Sequence, residues 1–414
     1  MAPKFTAPKG TFDVLGPESA RYEALIALFA TMAHRYGFEL LVQPMFEDVG
    51  VFQRIGGSTD VVRKEMYDFE DKGGRHVALR PEGTAQAARA YLEYHPTPPW
   101  KVWYTGPKFR YDRPQKGRYR QHHEVGVEAI GTSDADVDVE VISLACDFYA
   151  ALGLTRLKLR LTSLGDSVCR PAYRAELEAF LEARRDQLCP EHRDRISENP
   201  MRVLDCKRDD CVRATKDAPH MVDRLCEPCT EHFARVKGGL DAAGIAYVLD
   251  PSLVRGRDYY TRTTFEFEAE ALESAQNAAG GGGRYDGLIE QLGGQPTPGI
   301  GFGLGIERIL IACDAEGAFA TPSERLDVFV VDTTGGDAAR DIARELRLAG
   351  LRVDRAFDNR SFKSQMTAAL RSGARFAVVA EGAGITIRTL MQKGEPVSVE
   401  RANLVASLNE RLSS

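Results

Sequence analysis

Nothing in this chain approaches the roughly 18 uninterrupted apolar residues of a membrane-spanning helix, so no membrane partner is expected. Its first residues, MAPKFTAPKGTFDV, lack the charged, apolar and small-residue regions of a secretory signal, and a cytoplasmic protein is the expectation. Positive charge is not in excess either: 54 Lys and Arg face 60 Asp and Glu, a formal net charge of −6. That argues against a protein that coats DNA or RNA indiscriminately, although a local basic patch on an acidic protein can still neutralise RNA phosphates. No internal repeat and no long low-complexity tract is present, which excludes solenoids and fibres. The glycine-rich runs lack the G-x-G-x-x-G and G-x-x-x-x-G-K-[ST] spacings in their required settings, so neither a dinucleotide fold nor a P-loop is expected.

What is there suffices for two or three domains: 414 residues, 43% of them hydrophobic. Pro17, the helical recurrence of Tyr22, Leu25, Ile26, Phe29, Ala33 and Tyr36, and a closing Gly37 predict an amphipathic helix over 17–36. Segments with strand character follow at 76–81, 100–111, 122–131, 157–165, 261–270 and 299–305, several with the alternation of half-buried antiparallel strands. Residues 167–248 break that rhythm with charged helices around a polar, cysteine-dotted stretch, which reads as an insertion. Beyond 325 the pattern strand, helix, strand, helix, strand predicts a separate α/β domain with a parallel core.

The densest chemical signal is KFRYDRPQKGRYRQHHEVGVE, residues 108–128, in which Lys108, Arg110, Arg113, Lys116, Arg118 and Arg120 place six cations within thirteen residues. Guanidinium groups beside a hairpin tip meet phosphates bidentately and stay charged. Taken alone, such a run is a solvated basic hairpin. A second cluster, LVRGRDYYTRTTFEF (253–267), sets Arg255 before Tyr259 and Tyr260, whose hydroxyls suit either a core edge or a polar pocket. The runs GGGGRYDG (280–287) and GIGFGLGIER (299–308) let backbone approach a ligand closely. In RPEGTAQAARAY (80–91), Thr84 reads as an ordinary helix cap.

Taken in order, these segments resemble the class II aminoacyl-tRNA synthetases, and among them the histidyl-tRNA synthetases. LLVQPMFEDVGVF with Pro44 looks like the first class motif, KFRYDRPQKGRYRQHHEVGVE like the second and GIGFGLGIERIL like the third. LVRGxDYY, GGGRYDGL and RPEGT single out histidine. The resemblance implies an α+β catalytic domain with an antiparallel sheet over 1–166 and 249–320, a helical insertion over 167–248, and a C-terminal α/β anticodon-binding domain over 325–414. It implies a homodimer joined through the first motif. It also implies ATP with Mg2+, histidine and its tRNA as reaction partners.

By the same resemblance, Arg110 and Arg255 are the catalytic pair gripping the α-phosphate from opposite sides, and Arg118, Arg120 and Arg308 bind ATP. Glu82, Gly83, Thr84 and Glu124 surround the amino group of histidine. Glu128 and Tyr260 bond its ring nitrogens, while Tyr259 and Tyr285 line the pocket. Two positions depart from the family pattern: Glu124 stands where glutamine is common, which suggests an altered pH dependence, and Arg257 replaces a leucine. A non-charging regulatory subunit of ATP phosphoribosyltransferase shares the catalytic fold, but that reading predicts loss of the arginines and of the tyrosine and glycine signatures kept here.

The eight cysteines sit in a chain too large to need disulfide staples. Cys206-x4-Cys211 and Cys226-x2-Cys229, with His192, His220 and His232 nearby in sequence, read either as reduced thiols or as one structural zinc site.

Overall fold

The computed structural model describes residues 5–56, 61–254, 259–270, 272, 277–322, 326–382, 384–390 and 394–413, of which the side chains of 55 and 56 are left aside. Two compact units divide at Thr321 and Pro322. The first contains β1 (Glu39–Leu40), β2 (Phe46–Asp48), β3 (Tyr67–Glu70), β4 (His76–Leu79), β5 (Trp100–Phe109), β6 (Gln121–Ile130), β7 (Leu157–Ser163), β8 (Val248–Leu249), β9 (Thr261–Ala269), β10 (Ala278–Arg284) and β11 (Gly299–Gly305). Eight of these form one sheet in the order β1-β5-β6-β11-β10-β9-β7-β8. Its six central strands are antiparallel, as the alternating pattern predicts, and a two-residue strand pairs in parallel at each edge. The remaining three, β2-β4-β3, make a small antiparallel sheet.

Because side chains alternate along a strand, each of these strands carries two messages. On β6, Val125, Val127 and Ala129 point into the main core, and on β11 their partners Leu304, Phe302 and Ile300 do the same. The helices Glu18–Arg35, Ala135–Ala151 and Ile306–Glu316 cover that face with Leu25, Phe29, Ile142, Phe148 and Ile309. Phe29 is central: its ring meets Phe148, Trp103 and Phe302 edge-on at centroid distances of 5.0, 6.0 and 6.2 Å. Truncating such a residue costs about 3–5 kcal/mol. Gly37, at φ +75°, closes the first helix in a conformation that other residues resist. The opposite face of β6 and β11 carries Glu124, Gly126, Glu128, Gly301, Gly303 and Gly305, and this is where the chemistry lies.

The stretch over 167–248 is not a separate compact unit. Its last helix, Glu227–Ala242, packs Phe233, Val236 and Leu240 into the main core. The part before it gathers a small core of its own around Tyr173, Leu177, Leu181 and the buried Cys169, Cys189 and Cys211, which Cys229 of the last helix joins. Beyond the 13-residue helix Arg170–Glu182 its pieces are short: helices Pro190–Arg193, Met201–Leu204 and Asp209–Ala214 have four to six residues each.

In the second unit, β12 (Val328–Asp332), β13 (Val353–Arg355), β14 (Phe376–Glu381), β15 (Gly384–Thr389) and β16 (Val397–Val399) are ordered β13-β12-β14-β15-β16. The first three are parallel, as expected from the alternating pattern. The last two extend the sheet antiparallel, and with the final helix Leu404–Ser413 they are additions to that reading. No helix among the described residues is long and apolar enough to cross a membrane.

Candidate active site

Register places the polar face of the sheet in rows. Glu128 of β6 lies opposite Gly301 of β11, which lies opposite Gly283 of β10; Gly126, Gly303 and Gly281 form the next row. The floor is therefore bare backbone. Two of its glycines are required by what lies on them: a Cβ at Gly301 would sit 1.9 Å from Glu128 Oε2, and one at Gly126 would sit 2.6 Å from the Tyr104 ring. The run over 280–283, whose glycines let backbone approach a ligand and which is not among the strands predicted from the sequence, is part of strand β10. Its composition conceals it, since glycine is a poor strand former and here serves close approach.

Over this floor Glu128 is fully buried, and it accepts from three hydroxyls: Thr84 Oγ1 at 2.7 Å, Tyr104 OH at 3.1 Å and Tyr285 OH at 2.6 Å. Burial pushes its carboxyl up to about 7, and the hydrogen bonds from Tyr285, Thr84 and Tyr104 only partly oppose that. Tyr259 OH donates to Glu82 Oε2 at 2.9 Å. Tyr260 packs at 4.9 Å from Tyr259, ring to ring, in the same buried cluster as Tyr285. Thr84 is not the helix cap: Gly83 holds that position in front of helix Thr84–Tyr94, and Thr84 turns its hydroxyl to Glu128 instead. The Gly83 carbonyl accepts from Gln43 Nε2 at 2.8 Å. Arg284, fully buried, holds Tyr285 in place by pairing with Asp138 and bonding the carbonyls of Thr132 and Asp134.

Four residues along β6 toward the hairpin from Glu128, at Glu124, the site becomes cationic. An open cavity of about 270 Å³ is lined by Arg110, Arg118, Arg308, Glu124 and the glycines of β10 and β11. Arg110 Nε donates to the Pro81 carbonyl at 3.0 Å, and its Nη2 lies 3.9 Å from Glu124. Arg118 pairs with Asp112 at 2.5 Å, and Arg308 donates to the carbonyls of Gly117 and Ala278 at 2.9 and 2.8 Å. Burial and then its like-charged neighbours Arg110 and Arg118 push the Arg308 guanidinium below its ordinary value. Three guanidinium groups around one cavity repel, and a polyanion relieves that repulsion. Burial raises Glu124, but the His122 hydrogen bond and the Lys108 and Arg110 cations override it and hold the carboxyl at about 2.

Not every residue read from the sequence converges here. Arg120 stacks its guanidinium 3.8 Å above the Tyr111 ring and bonds the Asp112 carbonyl, behind the residues that line the cavity. Arg113 and Lys116 are exposed. Lys108 is not a surface cation: it is fully buried, 3.3 Å from Gln43 Oε1 and 4.6 Å from the centre of the Tyr104 ring, and burial lowers it to about 7. Arg255 and Arg257 lie outside the described residues. The four thiols taken as one zinc site are not together. Cys206 and Cys211 gather with Cys189 and His192, whereas Cys226 and Cys229 gather with Asp166 and Cys169.

Sequence reading missed Tyr104, Gln43 and the buried role of Lys108. A signal was available: Tyr104, Gly106 and Lys108 alternate along β5, on the face that register sets opposite Gly126, Glu124 and His122.

The histidyl-tRNA synthetase family model matches residues 10–309, which carry this whole arrangement. The chain belongs to the histidyl-tRNA synthetase family. A histidine–tRNA ligase of Rhodococcus erythropolis is 50% identical over 385 residues, covering 91% of this chain and 90% of that protein. One of Nocardia farcinica is 47% identical over 420 residues, covering 99% and 98%. The solved apo histidyl-tRNA synthetase of S. aureus superposes with a TM-score of 0.82 at 35% identity, over 98% of this chain and all of that one.

Proposed function

We propose that this protein is a histidine–tRNA ligase. It condenses histidine with ATP to histidyl-adenylate and pyrophosphate, then esterifies the histidyl group onto the 3′-terminal adenosine of histidine tRNA. The observation that carries the reading is Glu128, an acid buried at the end of a bare backbone floor and surrounded by hydroxyls. A flat ring with one N–H donor and one acceptor nitrogen satisfies such a pocket, and a ring without them leaves buried polar groups unmatched, which is the stronger source of selectivity.

The histidine carboxylate attacks the α-phosphorus, and the pyrophosphate oxygen leaves. Little covalent chemistry falls to the protein, which acts by holding the two reactants together and by stabilising charge on the phosphoryl oxygens. Arg110, fixed by the Pro81 carbonyl, is assigned one side of the α-phosphate, with Glu124 beside it for the substrate ammonium. Arg255 is assigned the opposite side of the α-phosphate. Arg308 and Arg118 take the rest of the nucleotide. Mg2+ would enter on the triphosphate and be held chiefly by its phosphates, with Asp112 and Glu307 the carboxylates along this wall that could take part, and it would neutralise charge on the leaving pyrophosphate.

Two partners complete the proposal. Leu40, Val42, Met45 and Phe46 are each more than half exposed, an apolar run in the first motif that suits a homodimer interface. The C-terminal α/β unit, 322–414, is assigned the anticodon.

Histidine-dependent exchange of pyrophosphate into ATP tests the activation step, and charging of transcripts with and without an extra 5′ guanosine tests the transfer. Exchange with histidine alone among the amino acids is expected. Histidine binding without exchange would overturn the ligase and leave a regulatory, non-charging protein.

A further inference from the structure

The cysteines bear on something the ligase reaction does not use. We propose that the insertion is built around two structural Zn2+ ions, one held by Cys189, His192, Cys206 and Cys211 and the other by Asp166, Cys169, Cys226 and Cys229.

Geometry comes first. Within each group the candidate ligand atoms all lie within 4.8 Å of one another. With Zn–S near 2.3 Å and Zn–N or Zn–O near 2.1 Å, a tetrahedral ion sets its ligands about 3.8 Å apart for two sulfurs and about 3.6 Å for sulfur and nitrogen or oxygen. The observed separations bracket these values. His192 Nδ1 is 3.3 Å from Cys189 Sγ and 3.7 Å from Cys211 Sγ. Cys169 Sγ is 4.0 Å from Cys229 Sγ, and Asp166 Oδ1 is 3.5 Å from Cys169 Sγ and 3.7 Å from Cys226 Sγ. All eight cysteines of the chain are free thiols, so disulfide pairing does not account for either group.

The ligand chemistry selects the ion. Three thiolates with an imidazole or a carboxylate favour Zn2+ over the hard cations Mg2+ and Ca2+, and four protein ligands leave no open position for catalysis. Backbone amides already turn toward the sulfurs: Cys189 N donates to Cys211 Sγ at 3.4 Å, and Asp166 N to Cys169 Sγ at 3.3 Å. Such donors steady thiolates around a metal. Arg262, 3.4 Å from Asp166 Oδ2, faces the more anionic of the two sets.

Topology supplies a reason for both. Asp166 and Cys169 stand where the chain leaves β7, and Cys226 and Cys229 stand at the start of helix Glu227–Ala242, so the second ion clasps the entry of the insertion to the start of its last helix. The first ion ties together short helices between those points, none of which is long enough to hold itself. Small cores of this size commonly rely on a metal.

The test uses full-length protein produced with zinc in the medium and purified without chelator. Elemental analysis should find two Zn per chain. Cys211→Ser should lose one ion, Cys229→Ser the other, and Cys313→Ser, a buried thiol elsewhere, neither. Because a ligand variant can fail to fold, zinc-edge X-ray absorption of the wild type is the second measurement. Three sulfurs at about 2.3 Å and one lighter ligand at about 2.1 Å per zinc are expected. Metal below one equivalent, or a purely nitrogen and oxygen shell, overturns the proposal. Two equivalents retained by Cys229→Ser, or a wild type holding a single equivalent that Cys229→Ser leaves in place, overturn the clasp.

Discussion

Replacing Glu128 by glutamine should flatten the pH dependence of this protein's stability. The carboxyl has an ordinary value of 4.5 and is raised to about 7 in the fold, chiefly by burial. Its folded value lies above its unfolded one, so its contribution is fully present below pH 4.5. Between pH 4.5 and 7 the unfolded chain has released a proton that the folded chain keeps, and stability falls as pH rises. The interval corresponds to about 3 kcal/mol, complete by about pH 8. Glu128→Gln cannot ionise and should escape this loss, so the stability difference between variant and wild type should move by about that amount from pH 5 to pH 8. The protein's two tryptophans provide the readout, since Trp100 and Trp103 both lie on β5, the strand paired to β6 beside Glu128. Urea unfolding followed by their fluorescence at several pH values would measure it. Parallel pH curves for the two proteins would refute the reasoning, because other titrating groups are common to both.

Four more outcomes are expected. Arg110→Ala should lower the rate of histidine-dependent exchange about 100- to 1000-fold with the KM for histidine changed by only a few-fold, and a loss confined to KM would remove Arg110 from the transition state. Glu124, held at about 2, is ionised at every working pH, so Glu124→Gln should raise the KM for histidine about tenfold through loss of its ammonium partner but leave the pH profile unaltered, contrary to the expectation from sequence; an unchanged KM in exchange assays would dismiss that role. Gly301→Ala puts a methyl within 2.3 Å of the Val127 carbonyl and closer still to Glu128, and should cost on the order of 3 kcal/mol by urea melts; a near-wild-type midpoint would mean the floor can give way. Val42→Asp, at a position 81% exposed, should shift a dimer toward monomers in sedimentation velocity, and unaltered sedimentation would move the interface elsewhere.

Most of the catalytic sheet was legible in the residue pattern because it follows from alternation. Val125, Val127 and Ala129 against Glu124, Gly126 and Glu128 state both the strand and its two faces. The strand Ala278–Arg284 was hidden because its identity depends on what packs over it, and glycine has no local preference to announce that. The acids and the cationic mouth were readable through their motifs. Their supports were not, because Tyr104, Gln43 and Lys108 belong to segments whose local pattern explains them as ordinary core or surface. The thiols were misgrouped for a similar reason: spacing along the chain pairs Cys206 with Cys211 and Cys226 with Cys229, but it is the fold that brings Cys189 and Asp166 to complete two sets.

The backbone surface beneath Glu128 also limits how this cavity can change. A wall made of side chains is reshaped one residue at a time, but at Gly301, Gly283 and Gly126 peptide groups offer evolution no small step: a methyl added there strikes a backbone carbonyl, and at Gly301 the acid above it as well. Selectivity can be retuned only from the sides, through Thr84, Tyr104 and Tyr285. A synthetic inhibitor has to be flat where it meets the strands and grow toward the guanidinium groups, and a host escaping it by altering that surface would first lose the sheet.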